Sequence, residues 1–198
     1  MRFFVLSCKM GKQFIDGNYG CWPDMVTLFL SPAVPAELTL RILQGSELPD
    51  LICGGWHVYS QRFLDVLAAC QATGYTSFPM RVVRGDLEIP GYFGVKILGR
   101  GGPLDAERSG VVWLPGGTAK AGLKAVYMKE EEWDGSDIFA IPGCGITMHV
   151  TERVAEAIRK ARLTNIALIP NSEACWGVCV PRSTWDYPRR RRKRKKTE

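Results

Sequence analysis

Two histidines, seven cysteines and one dense acidic run are the groups in this 198-residue chain whose types could do chemistry. His57 follows Trp56 at a strand, and His149 sits just before a helix start. Cys53 and Cys144 stand near them, so a Cys–His nucleophilic pair is open in principle. Such a pair is made by spatial placement, which nearness in sequence does not supply. Cys175 and Cys179 could offer two thiolates to zinc, completed by Cys53, Cys144 or a histidine. Structural zinc sites usually show two short-spaced pairs. Here one pair with a three-residue gap lies beside Trp176, so the thiols read as buried apolar groups and no metal is expected. Glu130–Glu132 with Asp134 and Asp137 could hold a metal or a basic partner, or work as acid and base. A solvated hairpin end is the simpler account. The six tryptophans suit either a core or the anchors of an interface.

No GxSxG, Walker loop or strand-linked GxGxxG occurs. Gly99–Gly102 and Gly116-Gly117 read as turns. The chain is therefore expected to be no enzyme and to carry no cofactor. No apolar run reaches the roughly 18 residues of a membrane helix. The opening Met1–Leu6 is too short for a signal core and reads as a first strand. Seven cysteines are odd in number and scattered, which argues for reduced thiols, no native disulfide and a cytoplasmic setting.

Apolar residues make up 46% and charged residues 23%, an ordinary globular balance that excludes a wholly disordered chain. The net charge of +6 is concentrated at one end. Arg189, Arg190, Arg191, Arg192, Lys193, Arg194, Lys195 and Lys196 are consecutive, and without residues 189–198 the body holds 18 basic against 19 acidic residues. The sequence thus divides into a single domain, 1–188, and a disordered basic tail, 189–198. Such a tail binds polyanions by counterion release; a solubilising role is the plain alternative.

The elements that must position these groups are written in a repeat. An offset of 91 carries Cys53 onto Cys144, Ser60 onto Thr151, Arg62 onto Arg153, Leu67 onto Ile158, Gly74 onto Asn165 and Pro79 onto Pro170. Residues 53–79 and 144–170 each read as strand–helix–strand. Ser60 and Thr151 are helix N-caps whose hydroxyls can accept from free backbone N–H groups. Phe63 with Leu67, and Val154 with Ile158, form buried helical faces. Gly74 and Asn165 are the residue types of left-handed helix stops. The predicted helices are Gln61–Ala72 and Glu152–Arg162. Strands are expected at Arg2–Leu6, Val26–Leu30, Tyr75–Met80, Gly110–Leu114, Ile138–Ile141 and Ile166–Ile169. Leu87–Leu98 and Leu123–Met128 also read as β, with turns at Pro115–Gly117 and Asp134-Gly135. Leu38–Leu43 fits helix or strand, and residues 171–188 read as an irregular packed segment. The fold class is α+β, a mixed, largely antiparallel sheet carrying two repeat-related units.

The repeated strand–[Ser/Thr]-x-Arg–helix–Gly/Asn–strand–Pro units, the Trp133-Asp134-Gly135-Ser136-Asp137-Ile138-Phe139 segment and the opening Met1–Leu6 resemble a family of small bacterial proteins. That family was first catalogued as a domain of unknown function and is now grouped with the immunity proteins of polymorphic toxin systems. The likeness covers roughly residues 50–170. It implies a non-enzymatic protein that binds a cognate toxin, with Trp133, Asp134, Ser136 and Asp137 as candidate toxin contacts. Some relatives carry two CxxCG pairs; this chain has none, so metal binding is not carried over. The basic tail lies outside the family pattern and supports the alternative of a nucleic-acid-associated protein. Neither reading involves a membrane, and neither assigns an oligomeric state.

Overall fold

The computed structural model describes residues 1–9, 16–19, 38–44, 47–52, 57–113, 120–144 and 147–177. In chain order the strands and helices are β1 (Phe3–Cys8), β2 (Asp16–Tyr19), β3 (Thr39–Gln44), β4 (Leu51–Ile52), β5 (Val58–Ser60), α1 (Gln61–Ala69), β6 (Tyr75–Pro79), β7 (Arg81–Arg84), β8 (Leu87–Ile89) and β9 (Tyr92–Ile97). Then come β10 (Gly99–Arg100), β11 (Val112–Trp113), β12 (Lys120–Leu123), β13 (Ile138–Ala140), β14 (Met148–Thr151), α2 (Glu152–Ala161), β15 (Ile166–Pro170) and β16 (Trp176–Gly177). The fold is α+β. Its strands form four sheets, ordered β10-β13-β14-β1-β15, β4-β5-β9-β6, β2-β3-β7-β8 and β11-β12-β16.

The repeat holds in three dimensions and extends beyond the strand–helix–strand units. Strand β9 runs antiparallel between β5 and β6, pairing Tyr92 with Ser60, Gly94 with both Val58 and Phe78, and Ile97 with Tyr75. Strand β1 does the same between β14 and β15, pairing Phe3 with Thr151, Val5 with both His149 and Ile169, and Cys8 with Ile166. So β1 and β9 are equivalent strands. The first copy is β1, β4, β5, α1 and β6; the second is β9, β13, β14, α2 and β15. Each copy's first strand lies in the other copy's sheet, which is the geometry of a strand-exchanged dimer written in one chain. The sequence shows why these strands sit centrally. Phe3, Phe4, Val5 and Leu6 are all buried, a continuous apolar run suited to a strand covered on both faces.

Three apolar clusters follow. The shared core lies between the helices and both sheets, with Leu51, Tyr59, Phe63, Leu67, Phe4, Leu6, Ile138, Val150, Val154 and Ile158 among its members. Alternate residues of the same strands face outward into a cluster proper to each copy. Val58, Phe78, Met80, Val82 and Tyr92 serve the first, and Phe3, Val5, Val126, Met128 and Phe139 serve the second. Phe63, Leu67 and Val154 are wholly buried, and Ile158 is nearly so.

The structure corrects several expectations. The helices stop at Ala69 and Ala161, short of Ala72 and Arg162. Gln71 and Arg162 take positive φ and turn the chain before Gly74 and Asn165 are reached. Leu123–Met128 is not a strand: β12 ends at Leu123, and Met128 makes only an isolated bridge to Leu104. The acidic run does not close a hairpin; Glu130–Glu132 is an exposed 3-10 turn. Leu38–Leu43 resolves as strand β3. The irregular segment includes a 3-10 turn, Asn171–Glu173, and strand β16. Cys8 is disulfide-bonded, against the expectation of no native disulfide. An odd count forbids pairing all seven thiols, but it leaves room for one bridge. The expected strand Val26–Leu30, the turn Pro115–Gly117, Cys53, Cys179 and the tail 189–198 lie outside the described residues.

Candidate functional site

Two aspartates hold the exchanged copies together. Asp137, just before β13, accepts from the Thr151 hydroxyl at 2.9 Å and from both the backbone N–H and the hydroxyl of Thr73 at 3.1 Å each. Arg153 donates to the same carboxylate and to the Cys70 carbonyl. Asp50, just before β4, repeats the pattern. It accepts from the Ser60 hydroxyl at 2.7 Å, from Arg62 at 3.1 Å, and from the Thr164 N–H and hydroxyl at 2.7 and 3.1 Å. Arg62 also donates to the Ala161 carbonyl. In return the Asp137 N–H donates to Thr73 Oγ1 and the Asp50 N–H to Thr164 Oγ1. Each carboxylate thus ties a helix start in its own copy to the loop behind the helix of the other. Burial alone would raise the Asp137 pKa. The hydrogen bonds from Thr151 and Thr73, with the Arg153 charge, outweigh it and hold the carboxyl below 3.8.

The caps therefore differ. The Ser60 hydroxyl accepts from the Phe63 N–H at 3.2 Å while donating to Asp50. Thr151 occupies the N-cap position, but its side chain makes no capping bond; its hydroxyl is turned to Asp137 instead. Gly74 shows how closely the copies approach. It has φ +85°, and a Cβ there would stand 2.1 Å from the Ile138 carbonyl oxygen. Asn165 fills the equivalent slot at φ 59° and donates to the Leu51 carbonyl at 2.7 Å.

The Trp133–Phe139 segment is the second of these junctions. Trp133 packs edge-on to Phe3 at 5.2 Å and donates to the Ser136 carbonyl. Asp134 accepts from the Arg100 N–H at 2.7 Å and from the Ser136 N–H and hydroxyl. Burial is the largest single effect on its pKa and raises it, but these bonds together outweigh it and hold the carboxyl below 3.8. Ser136 and Asp137 are buried. Of the four candidate contacts, Asp134 is exposed and Trp133 half-buried. The structure engages the polar groups of all four inside the fold.

Among the described residues, His149 is held by its own polar partners. His149 is fully buried, stacked on Phe139, with Nε2 at 2.8 Å from Thr147 Oγ1 and Nδ1 at 3.1 Å from Asn171 Oδ1. Both ring nitrogens are taken up by these two groups, so neither is turned to a cysteine. Burial lowers its pKa to about 4, against a smaller opposing effect of Asn171. Burial lowers the His57 pKa as well. Cys144 is buried and Cys175 exposed, and neither is in a disulfide. No group of three or more potential metal ligands converges among the described residues. No helix among them is long and apolar enough to cross a membrane.

A cleft of about 530 Å³ opens on the second copy. Its wall includes Met1, Arg2, Phe3, Arg108, Tyr127 and Asn171. The Arg108 guanidinium lies 4.5 Å from the centre of the Tyr127 ring. Asp50, Thr73, Thr164, Arg108 and Asn171 were not singled out from the sequence. The threonines carried a signal, since Thr73 maps onto Thr164 at the same offset of 91. The aspartates did not, because their separation is 87. No family model matches the chain, and no curated protein matches it.

Proposed function

We propose that the chain is an immunity protein that binds one cognate bacterial toxin and neutralises it by occluding the toxin's active site or substrate groove. The observation that supports this reading most is the role of Trp133–Phe139, the segment that carries the resemblance. Its polar groups join the two copies and hold a turn in which Asp134 and Gly135 are exposed. A segment built this way fixes the shape of a surface, which is what a binding protein needs. The interface would be of standard size, roughly 1,600 Å², with affinity resting on a few buried anchors. Trp133, Asp134, Ser136 and Asp137 then act mainly by shaping that surface. The Cys8 bridge removes the cysteine argument for a reducing compartment, so cytoplasmic placement rests on the immunity reading itself.

The body is near neutral and the positive charge is confined to Arg189–Lys196, so body and tail are separable. A chain ending at Pro188 is expected to protect cells that express the toxin encoded beside it as well as the full chain does. Survival counts on induction of the toxin check this. Loss of protection by a truncated chain that still folds would instead favour the nucleic-acid reading. Polyanion binding should then weaken steeply with salt and vanish without the tail.

A further inference from the structure

The two halves of the chain meet as two molecules would. Strands β1 to β8 and α1 precede Pro90, and β9 opens the second half at Tyr92. Each half encloses a strand of the other: β9 lies between β5 and β6, and β1 between β14 and β15. The polar junctions cross as well. Asp137 of the second half accepts from Thr73 of the first, and Asp50 of the first from Thr164 of the second. Arg153 reaches the Cys70 carbonyl, and Arg62 the Ala161 carbonyl. None of these contacts requires that the two halves belong to one chain.

The covalent join between them is two residues long. Strand β8 ends at Ile89 in the β2-β3-β7-β8 sheet, and β9 starts at Tyr92 in the β4-β5-β9-β6 sheet. Pro90 and Gly91 make the turn, and both are exposed. Gly91 stands at φ +82°, and a Cβ built there meets nothing within 4 Å, so backbone angle alone calls for glycine. The join falls at a repeat-equivalent point. The Gly91 carbonyl accepts from the N–H of Gln61, the first residue of α1, at 2.8 Å. The Arg2 carbonyl accepts from the N–H of Glu152, the first residue of α2, at 3.2 Å. Gly91 and Arg2 are separated by the same 89 residues as β9 and β1.

We propose that two copies of this chain trade halves: the first half of each folds with the second half of the other, and Pro90-Gly91 straightens into the hinge. The occupant of each sheet is thereby fixed as β1 or β9 of a second copy, in the register seen here. The Asp137 junction is then completed by Thr73 of the partner subunit. Monomer and dimer keep the same contacts and differ at the hinge and in mass action. A short, sharply turned link favours exchange, because straightening relieves it. Proline, with its fixed φ, suits an extended link. The inference is independent of the toxin reading.

Light scattering on a sizing column tests this with the full chain, unfolded in guanidinium and refolded at about 1 and about 100 μM, a range over which mass action separates monomer from dimer. The expected result is a species of twice the chain mass that grows with concentration. Once diluted it should last for hours, since it can part only by opening both sheets. Inserting Gly-Ser-Gly-Ser between Pro90 and Gly91 should weaken the dimer about tenfold or more, because the freed link turns back without strain. Gly91→Val should strengthen it about tenfold or more, because a β-branched residue resists positive φ at each of the two hinges. A monomer at both concentrations overturns the proposal. So does a dimer that parts within minutes of dilution, or one that the insertion does not weaken or Gly91→Val, if folded, does not strengthen. Each of these would mean that whole folds touch without exchanging halves.

Discussion

Asp137→Ala is expected to destabilise the fold by about 2–3 kcal/mol, because it strips one carboxylate from four donors: the Arg153 guanidinium, the Thr73 N–H and hydroxyl, and the hydroxyl of buried Thr151. The Arg153 side chain is 53% exposed, so little of this comes from the ion pair itself. Most comes from the hydroxyl of buried Thr151 left without its acceptor, since Thr73 is exposed and water can replace the carboxylate there. For a chain of this length the melting temperature should fall on the order of 10 °C. Asp50→Ala should cost about the same, since Ser60, Arg62 and Thr164 reproduce the set of donors. Thermal unfolding of both variants checks the strand-exchanged repeat directly. Two losses equal within about 1 kcal/mol support it. Values near zero for either would mean that the junction is not what holds the copies.

The second large effect is a pH dependence. The folded protein keeps His149 neutral down to about pH 4, whereas the unfolded chain protonates it near 6.5. Between these values the unfolded state binds more protons, so stability is full above pH 6.5 and falls as the pH is lowered. The loss reaches about 3 kcal/mol by pH 4. His57 acts in the same direction. Asp134 and Asp137, held below 3.8, lose their contributions only beneath that value. Denaturant unfolding between pH 4.5 and 7 therefore isolates the histidines. His149→Gln should flatten most of the slope, and a variant with the wild-type slope would show that His149 is solvated.

Local rules made the repeat legible. Hydroxyl residues at helix starts, apolar faces at helical spacing and Gly or Asn beyond the helix ends all lie at one offset, and Ser60, Phe63 and Val154 sit where those rules put them, while Gly74 and Asn165 take left-handed backbone past the stops and not at them. The strand exchange was hidden because β1 and β9 differ in sequence and lie at an offset of 89 rather than 91. Pairing across more than a hundred residues also leaves no local mark. Thr151 shows a second limit. Its type predicts a cap, yet a buried carboxylate within reach outcompetes the backbone N–H for its hydroxyl. The cleft was illegible for the opposite reason. Asn171 is an ordinary residue type, and only comparison with Met80, its buried counterpart in the first copy, gives it meaning.

Occlusion is tested most directly by titration. The product of the neighbouring open reading frame, as the proposed toxin, would be purified and assayed for its own activity while the chain is added in steps. The account predicts a linear fall to near zero at one chain per toxin, little changed by salt, because a packed interface is held mainly by its apolar anchors. Full toxin activity at several-fold excess of folded chain would contradict it.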